Sequence, residues 1–387
     1  MDSRERVLTA LAHKEPDRVP FDLGGTVVTG IHVKAYQALR DYLGLPRIQP
    51  VICDIVQQLA RVDYDVMERL GIDVRNLSPG LAPDFRLETR DTDDGRYTYF
   101  YDEFQVGWHM PRVGGLYYDM FHHSLGGDIG ELDVQRFPLP VVADPARFVG
   151  LEEAARVIIA KEKRALVMGN MSAGVFELYL RTRGYRDGYA GLVANPALAQ
   201  KLLRRYTDLQ LAYWEKVFSV LGDGVDVAYM ADDFAGQYEM LISPASYRKY
   251  LKPLHREIFT YIHSHSRAKV FFHSCGAIRQ VIPDLIDIGL DILNPVQVSA
   301  AGMDSAELKR EYGCDLTFWG GGVDTQRALD SGQNWDEVRD DVKRRLHDLM
   351  PGGGFVFTPV HNIQANVPPE NTIAMWEALQ EYGVYSG

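Results

Sequence analysis

The sequence predicts a closed (β/α)8 barrel, or TIM barrel, with a β-rich insertion after its second strand. About eight short apolar segments with strand character alternate with helical segments, and this alternation is typical of a parallel sheet. No G-x-G-x-x-G motif follows any of these segments, which disfavours the main alternative, an open doubly wound sheet. Because barrels of this kind often exceed the usual domain length, we expect residues 1–387 to form one domain.

The N-terminal third contains the first two predicted strands and the insertion. The predicted elements are an amphipathic helix at 3–14, a strand ending in glycines at 18–25, helices at 31–44 and 54–70, and a strand at 71–77. Residues 81–140 break the pattern, because they are rich in Tyr, Phe, Asp and Gly. This composition favours short antiparallel strands and turns, and we expect a lid or wall over one end of the barrel.

From about residue 150, helices and strands alternate regularly. The predicted strands are 165–170, 225–233, 269–275, 291–297, 316–322 and 354–361. The predicted helices are 151–163, 244–265, 277–288, 304–312, 334–349 and a closing helix from about 369, and residues 174–222 are predicted to be a helical stretch.

The composition limits the compartment and the partners. A chain of 387 residues with a net charge of −12 is a poor general nucleic-acid binder. No segment resembles a signal peptide and no apolar run spans a bilayer, so we expect a cytoplasmic protein with no membrane partner. The three cysteines, Cys53, Cys275 and Cys314, are too few for a disulfide framework.

Polar residues gather at the carboxyl ends of the predicted strands. In an α/β barrel these ends form one face, on which active sites are built. We expect a catalytic pair there, Asp232 and Asp233. We expect the substrate-binding residues to be Asn170, Asn294, Gln297 and Asp324. The alternative for each residue taken alone is that it caps a strand and binds loop backbone.

The segment His273-Ser-Cys275 is the most specific chemical signal. Residues i and i+2 of a strand point to the same side, and imidazole nitrogen with thiolate sulfur suits zinc. Catalytic zinc commonly has three protein ligands and one open position, and His361 is the best third candidate. Asp233 and Glu177 are weaker candidates for a fourth position. The alternative for an isolated H-x-C motif is a buried histidine beside an inert cysteine.

Several segments resemble the uroporphyrinogen decarboxylase superfamily. They are residues 21–25 in the first half and 272–276, 283–297, 319–326, 351–354 and 361–371 in the second. The superfamily contains the decarboxylase of haem synthesis and a group of zinc- and corrinoid-dependent methyltransferases. His273 and Cys275 match the H-x-C motif of the coenzyme M methyltransferases, in which a Cys occupies the place of His361.

The resemblance favours the methyltransferase arm, because residues 21–29 lack the Arg-rich signature of the metal-free decarboxylases. A His, Cys, His site leaves more positive charge on zinc than a Cys-rich site, and therefore suits Lewis-acid action on an oxygen. The resemblance thus implies methyl transfer between a small methylated substrate and the cobalt of a corrinoid. A methoxylated aromatic is the favoured substrate.

The corrinoid is expected on a transient partner protein, because the chain has no D-x-H-x-x-G motif. Two alternatives stay open. One is a uroporphyrinogen decarboxylase, and the other is a non-enzymatic barrel that binds a tetrapyrrole or corrinoid. The oligomeric state is also left open, with a homodimer as one option.

Overall fold

The computed structural model describes residues 1–169, 171–330, 332 and 334–385. Within these residues the α-helices are α1 (Ser3–Leu11), α2 (Val33–Tyr42), α3 (Tyr64–Leu70), α4 (Glu131–Arg136), α5 (Leu151–Arg156), α6 (Val175–Arg183), α7 (Tyr185–Ala194), α8 (Pro196–Leu221), α9 (Pro244–Ser246), α10 (Lys252–His265), α11 (Ile282–Asp287), α12 (Ser305–Tyr312), α13 (Trp335–Leu349) and α14 (Pro369–Tyr382). Short 3-10 or π-helical segments lie at Pro145–Phe148, Val157–Glu162, Gly222–Gly224, Tyr247–Leu251 and Arg279–Val281.

The strands of the described residues are β1 (Ile52–Asp54), β2 (Leu59–Ala60), β3 (Val74–Leu77), β4 (Arg90–Asp91), β5 (Tyr97–Tyr101), β6 (Gly107–Pro111), β7 (Asp119–His122), β8 (Ala165–Met168), β9 (Val227–Ala231), β10 (Lys269–His273), β11 (Ile292–Asn294), β12 (Thr317–Trp319) and β13 (Phe355–Val356). Seven of them form a parallel sheet in the order β13–β12–β11–β10–β9–β8–β3. The strands of this sheet are short apolar runs, and every residue of β8 and β9 is buried, as expected for strands covered on both faces.

The segment around Phe21 connects the two edges of this sheet. The Asp22 amide donates to the Phe357 carbonyl at 2.9 Å, and the Phe357 amide donates to the Pro20 carbonyl at 2.8 Å. On the other side, the Asp73 amide donates to the Phe21 carbonyl at 2.9 Å. Because Phe357 follows β13 and Asp73 precedes β3, the architecture is the TIM-barrel-like α/β fold that the sequence predicts.

The strand predicted at 18–25 is much shorter in the structure, where Phe21 forms a single bridge to Phe357. Pro20 has no amide to donate to a neighbouring strand. Gly24 has a φ of 89°, a left-handed conformation that turns the chain out of the sheet. The sequence pattern therefore located the closing segment but overestimated its length.

One helix prediction is wrong in part. The segment 54–70 is helical only from Tyr64, because the preceding residues form an antiparallel pair, β1 with β2, around Gln58 with a φ of 53°. The helical stretch predicted at 174–222 consists of three helices. Gly184, with a φ of 80°, separates the first two, and Pro196 starts the third.

Residues 90–122 contain a four-stranded antiparallel sheet in the order β4–β5–β6–β7. It lies within the 81–140 segment, whose role as a lid stays a prediction. Phe100 and Trp108 in this sheet, and Tyr118 just before its last strand, are buried. None of the helices in the described part of the chain combines the length and the apolar character needed to cross a bilayer.

Candidate metal centre

The turn after β10 carries the first two candidate ligands, His273 and Cys275. The Cys275 amide donates to Asp233 Oδ1 at 2.7 Å, and the Gly276 amide donates to Gln297 Oε1 at 2.7 Å. Gly276 has a φ of 92°, and a Cβ added there would lie 2.5 Å from the Gly236 carbonyl oxygen. The turn therefore requires glycine, and its two amides are fixed by side chains from neighbouring loops.

His361, which lies in the loop after β13, completes a group of three donors with His273 and Cys275. One ligand atom from each residue lies within 4.8 Å of the other two. Cys275 Sγ is 3.4 Å from His273 Nε2. A tetrahedral zinc ion with ordinary bond lengths holds its nitrogen and sulfur ligands about 3.6 Å apart. The spacing and the donor types therefore fit zinc.

The imidazole of His273 is oriented for metal binding. Its Nδ1 donates to Asn294 Oδ1 at 2.5 Å, and the Asn294 Nδ2 donates to the Trp319 carbonyl at 2.6 Å. The second bond fixes which way the amide faces, so the first fixes the proton of His273 on Nδ1. Nε2 is left with a free lone pair, the arrangement that zinc-binding histidines usually have.

The protonation states of the other two ligands differ. Burial lowers the pKa of His361 to about 4, and the charge of His273 adds to this effect while Asp233 opposes it. Burial raises the pKa of the Cys275 thiol well above its usual value, and Asp233 and Glu177 raise it further. His361 is therefore ready to bind a metal at neutral pH, whereas zinc must displace the proton of Cys275.

His273 and His361 face a cavity of about 750 Å³ at the carboxyl ends of the strands. This size is within the usual range for small-molecule sites. The antiparallel sheet, β9 and the helices after β8 contribute aromatic side chains to its wall. These are Phe100, Trp108, Tyr118, Tyr185, Tyr213 and Tyr229.

Charged groups also line this cavity. Arg181 Nη2 donates to Glu177 Oε1 at 2.6 Å, and the guanidinium lies 5.3 Å from the centre of the Trp108 ring. Burial raises the pKa of Glu177, Arg181 opposes the shift, and Asp233 adds to it. The lining carboxylates are Asp54, Asp102, Asp119, Glu177 and Asp233, and the lining guanidiniums are Arg147 and Arg181.

Of the six predicted catalytic and substrate-binding residues, Asp233 is the one that the described cavity wall contains. Asp232 is fully buried, and its carboxylate binds the Glu177 amide at 2.7 Å and His255 Nε2 at 2.9 Å. It therefore holds the start of α6. Asn170 lies outside the described residues. The proposed catalytic and binding roles stay predictions.

Three predicted substrate-binding residues remain. Asn294 binds His273 and the Trp319 carbonyl, and Gln297 and Asp324 are engaged in loop contacts. Gln297 accepts from the Gly276 amide and donates to Gln237 Oε1 at 2.8 Å. Asp324 accepts from the Gln326 amide at 2.9 Å. Both contacts match the structural alternative for strand-end residues, in which the side chain binds loop groups.

Sequence reasoning did not single out several residues of the cavity wall. Arg181 follows Glu177 by one helical turn, a spacing that pairs side chains on one helix face. Tyr229 precedes Asp233 by four residues in a strand and its end, which places both on one side. Asp54 lies in a segment that the sequence pattern assigned to a helix, so the pattern did not indicate that its side chain lines the cavity.

Comparison with known proteins identifies the family. The model of the uroporphyrinogen decarboxylase (URO-D) family matches residues 131–382. The uroporphyrinogen decarboxylase of Coxiella burnetii is 24% identical over 266 residues, which cover 65% of this chain and 67% of that protein. The uroporphyrinogen decarboxylase of Bacillus pumilus is 21% identical over 366 residues, which cover 90% and 87%.

Among solved structures, a methyltransferase from Methanosarcina mazei shares the fold, with a TM-score of 0.64 and 19% identity over 99% of each chain. The resemblance to this superfamily that the sequence motifs indicate is thus confirmed. The family match extends from α4 to α14 and includes all three candidate ligands. The chain belongs to the uroporphyrinogen decarboxylase (URO-D) family.

Proposed function

We propose that the protein is a zinc-dependent methyltransferase. It moves a methyl group between a small methylated substrate and the cobalt of a corrinoid held by another protein. A methoxylated aromatic is the favoured substrate. The observation that carries this proposal is the grouping of His273, Cys275 and His361 within 4.8 Å, two of them facing a cavity with aromatic walls. The name of the structural neighbour from Methanosarcina mazei, a methyltransferase, is consistent with it.

The residues of the site have distinct tasks in this proposal. His273, Cys275 and His361 hold the metal, and Asn294 keeps the Nε2 of His273 free for it. When bound, zinc supplies positive charge beside the substrate oxygen, which stabilises the electron pair that remains there when the methyl group leaves. The aromatic walls exclude water and hold the ring of the substrate by apolar contact.

The charges of the cavity argue against decarboxylation of a tetrapyrrole that carries many carboxylates. Arg181 is paired with Glu177, and Arg147 is paired with Glu103. The remaining lining carboxylates have no such guanidinium partner among the described residues, and like charges repel strongly where water is excluded. A substrate without carboxylates avoids this repulsion, so an uncharged methyl ether suits the cavity better.

The corrinoid must reach this cavity from outside. Attack on a methyl carbon requires the reacting atoms to be about 3–3.5 Å apart, so the cobalt has to enter the mouth of the barrel. A flat, broad corrinoid presented by a second protein meets this requirement while the substrate stays against the metal ligands. The contact between the two proteins is transient, because the corrinoid protein must visit a second methyltransferase or a reductase in every cycle.

Reconstitution tests the proposal. The zinc-loaded protein is mixed with a reduced corrinoid protein and a panel of methoxylated aromatics and methylamines, and the visible spectrum of cobalt reports methyl transfer. We expect transfer from at least one methoxylated aromatic and its loss in His273→Ala. Cys314→Ala, a change at an exposed cysteine outside the site, is the control. Absence of transfer together with conversion of uroporphyrinogen to coproporphyrinogen would instead support the decarboxylase.

A further inference from the structure

Tyr229 is a buried tyrosine in the cavity wall whose hydroxyl has no hydrogen-bond partner among the residues that the structure describes. It lies in β9 and is 2% exposed. Its ring packs against Phe271, with 5.4 Å between the ring centres. By contrast, the hydroxyl of buried Tyr179 donates to the Gly188 carbonyl at 2.8 Å. The unpaired donor in a wall of the cavity is therefore available to an acceptor on a bound ligand.

The strand register places Tyr229 close below the metal ligands. Tyr229 pairs with Phe271, and Ala231 pairs with His273. Side chains alternate along a strand, so Tyr229, Ala231 and Asp233 share one side, and all three line the cavity. Tyr229 thus lies two residues, or about 6.6 Å along the strand, deeper in the barrel than the level of His273.

The electrostatic surroundings keep the hydroxyl protonated. Burial raises the pKa of Tyr229 well above its usual value, and the charges of Glu177, Asp233 and Asp54 raise it further. These three carboxylates line the same cavity as Tyr229. The group remains protonated at any physiological pH and can act as a donor.

We propose that the Tyr229 hydroxyl donates a hydrogen bond to the oxygen from which the methyl group leaves. This inference rests on the proposed function and narrows its substrate class to O-methyl compounds that leave as phenolates. As the carbon–oxygen bond breaks, its electron pair stays on the oxygen, and the methyl carbon bonds to the cobalt of the reduced corrinoid through the electron pair of that metal. Tyr229 keeps its proton, and the phenolate takes one from water after release. A donor placed where negative charge develops accelerates such a step.

If the methyl donor were a thioether or a quaternary ammonium compound, the Tyr229 hydroxyl would form a weaker hydrogen bond to it or none. Sulfur is a weak hydrogen-bond acceptor, and a quaternary nitrogen has no lone pair until the methyl group has left. An ether oxygen accepts a hydrogen bond before the reaction and accepts a stronger one as it becomes negatively charged. The unused hydroxyl of Tyr229 therefore favours an oxygen leaving group.

The test of the Tyr229 donor uses a phenol whose visible absorbance changes when it ionises. 4-Nitrophenol is titrated in the presence of the zinc-loaded protein, and its visible absorbance gives the pKa of the bound probe. Because the lining carboxylates repel a phenolate in either protein, the quantity compared is the pKa of the bound probe in the wild type and in Tyr229→Phe. In Tyr229→Phe, which keeps the ring and its packing, we expect phenolate binding to weaken about tenfold or more, with a matching upward shift of the pKa of the bound probe.

Tyr179→Phe is the matched control, because it removes a buried hydroxyl that already has a backbone partner. It is expected to bind the probe as the wild type does. An equal pKa of the bound probe in the wild type and in Tyr229→Phe would overturn the inference.

The methyl-transfer assay separates the two proposals. Equal rates of transfer from a methoxylated aromatic in the wild type and in Tyr229→Phe would overturn the role of Tyr229 and leave the proposed function standing. A shift of the probe that depends on Tyr229, without methyl transfer from any aromatic ether, would support the oxyanion donor and overturn the proposed function.

Discussion

The Nδ1 of His273 donates a hydrogen bond of 2.5 Å to the Oδ1 of Asn294, and through it the metal site is connected to the barrel interior. The two residues are register partners on the adjacent strands β10 and β11. Asn294 also donates to the Trp319 carbonyl in β12, so its amide cannot rotate without losing a bond. The orientation of the first candidate ligand is therefore determined by the sheet itself.

Replacing Asn294 by Ala should weaken zinc binding by about tenfold to a hundredfold, because His273 loses the acceptor that fixes its Nδ1 proton and ring orientation. Competition with a chromogenic chelator measures the affinity. Asn366→Ala, at an exposed asparagine bonded to Asp330, serves as the control and should bind zinc as the wild type does. An unchanged affinity in Asn294→Ala would show that the hydrogen bond has no part in metal binding.

Zinc affinity should rise with pH. Protons and zinc compete for the Cys275 sulfur, and the raised pKa of the thiol means that binding releases one proton throughout the neutral range. His361 releases none there, because its pKa is about 4. The logarithm of the affinity is expected to increase by about one for each pH unit attributable to this thiol. Chelator competition at several pH values checks this, and an affinity independent of pH would exclude Cys275 as a ligand.

Gly276→Ala should destabilise the fold and loosen the metal site. Two effects lower the free energy of unfolding. One is the left-handed φ of 92°, and the other is the contact of a new Cβ with the Gly236 carbonyl oxygen at 2.5 Å. Gly44→Ala is the matched control, because Gly44 has a φ of 67° with no atom within 4 Å of such a Cβ. We expect the control to cost about 1 kcal/mol of unfolding free energy and Gly276→Ala to cost clearly more. Urea unfolding of both variants measures the difference, and equal costs would contradict the steric argument.

Asp232→Asn should lower stability and leave the zinc content unchanged. The carboxylate of Asp232 is buried and binds both the Glu177 amide and His255, so the change breaks a buried network at a cost of about 1–3 kcal/mol. The comparison variant is Asp233→Asn, because Asp233 lines the cavity whereas Asp232 is not part of its described wall. Thermal unfolding and elemental analysis report the two effects. An Asp232→Asn protein with normal stability and no methyl transfer would favour the catalytic role predicted from the sequence.

Much of the barrel was predictable because its strands are continuous apolar runs followed by polar residues. The same pattern brought His273, Cys275 and His361 together, since the carboxyl ends of parallel strands share one face. Strand alternation also implies that Asp232 and Asp233 point to opposite sides, so the sequence could have assigned only one of them to the cavity.

Other features depend on contacts that are distant in the sequence. The β1–β2 pair replaces a predicted helix because Gln58 adopts a left-handed conformation, which local periodicity does not reveal. Tyr229 looks like any other apolar strand residue until the barrel places it in the wall of a cavity that also contains carboxylates from separate segments of the chain. The cavity charges and the unused hydroxyl therefore required the structure.

The most direct measurement is the zinc content of the purified protein by elemental analysis, in the wild type and in Cys275→Ala. We expect about one zinc ion per chain in the wild type, as for a site with three protein ligands. We expect Cys275→Ala to lose most of this zinc with an unchanged circular dichroism spectrum, and Cys314→Ala to contain normal zinc. A wild-type protein that does not bind zinc, or a Cys275→Ala variant that retains all of it, would contradict the proposed metal centre.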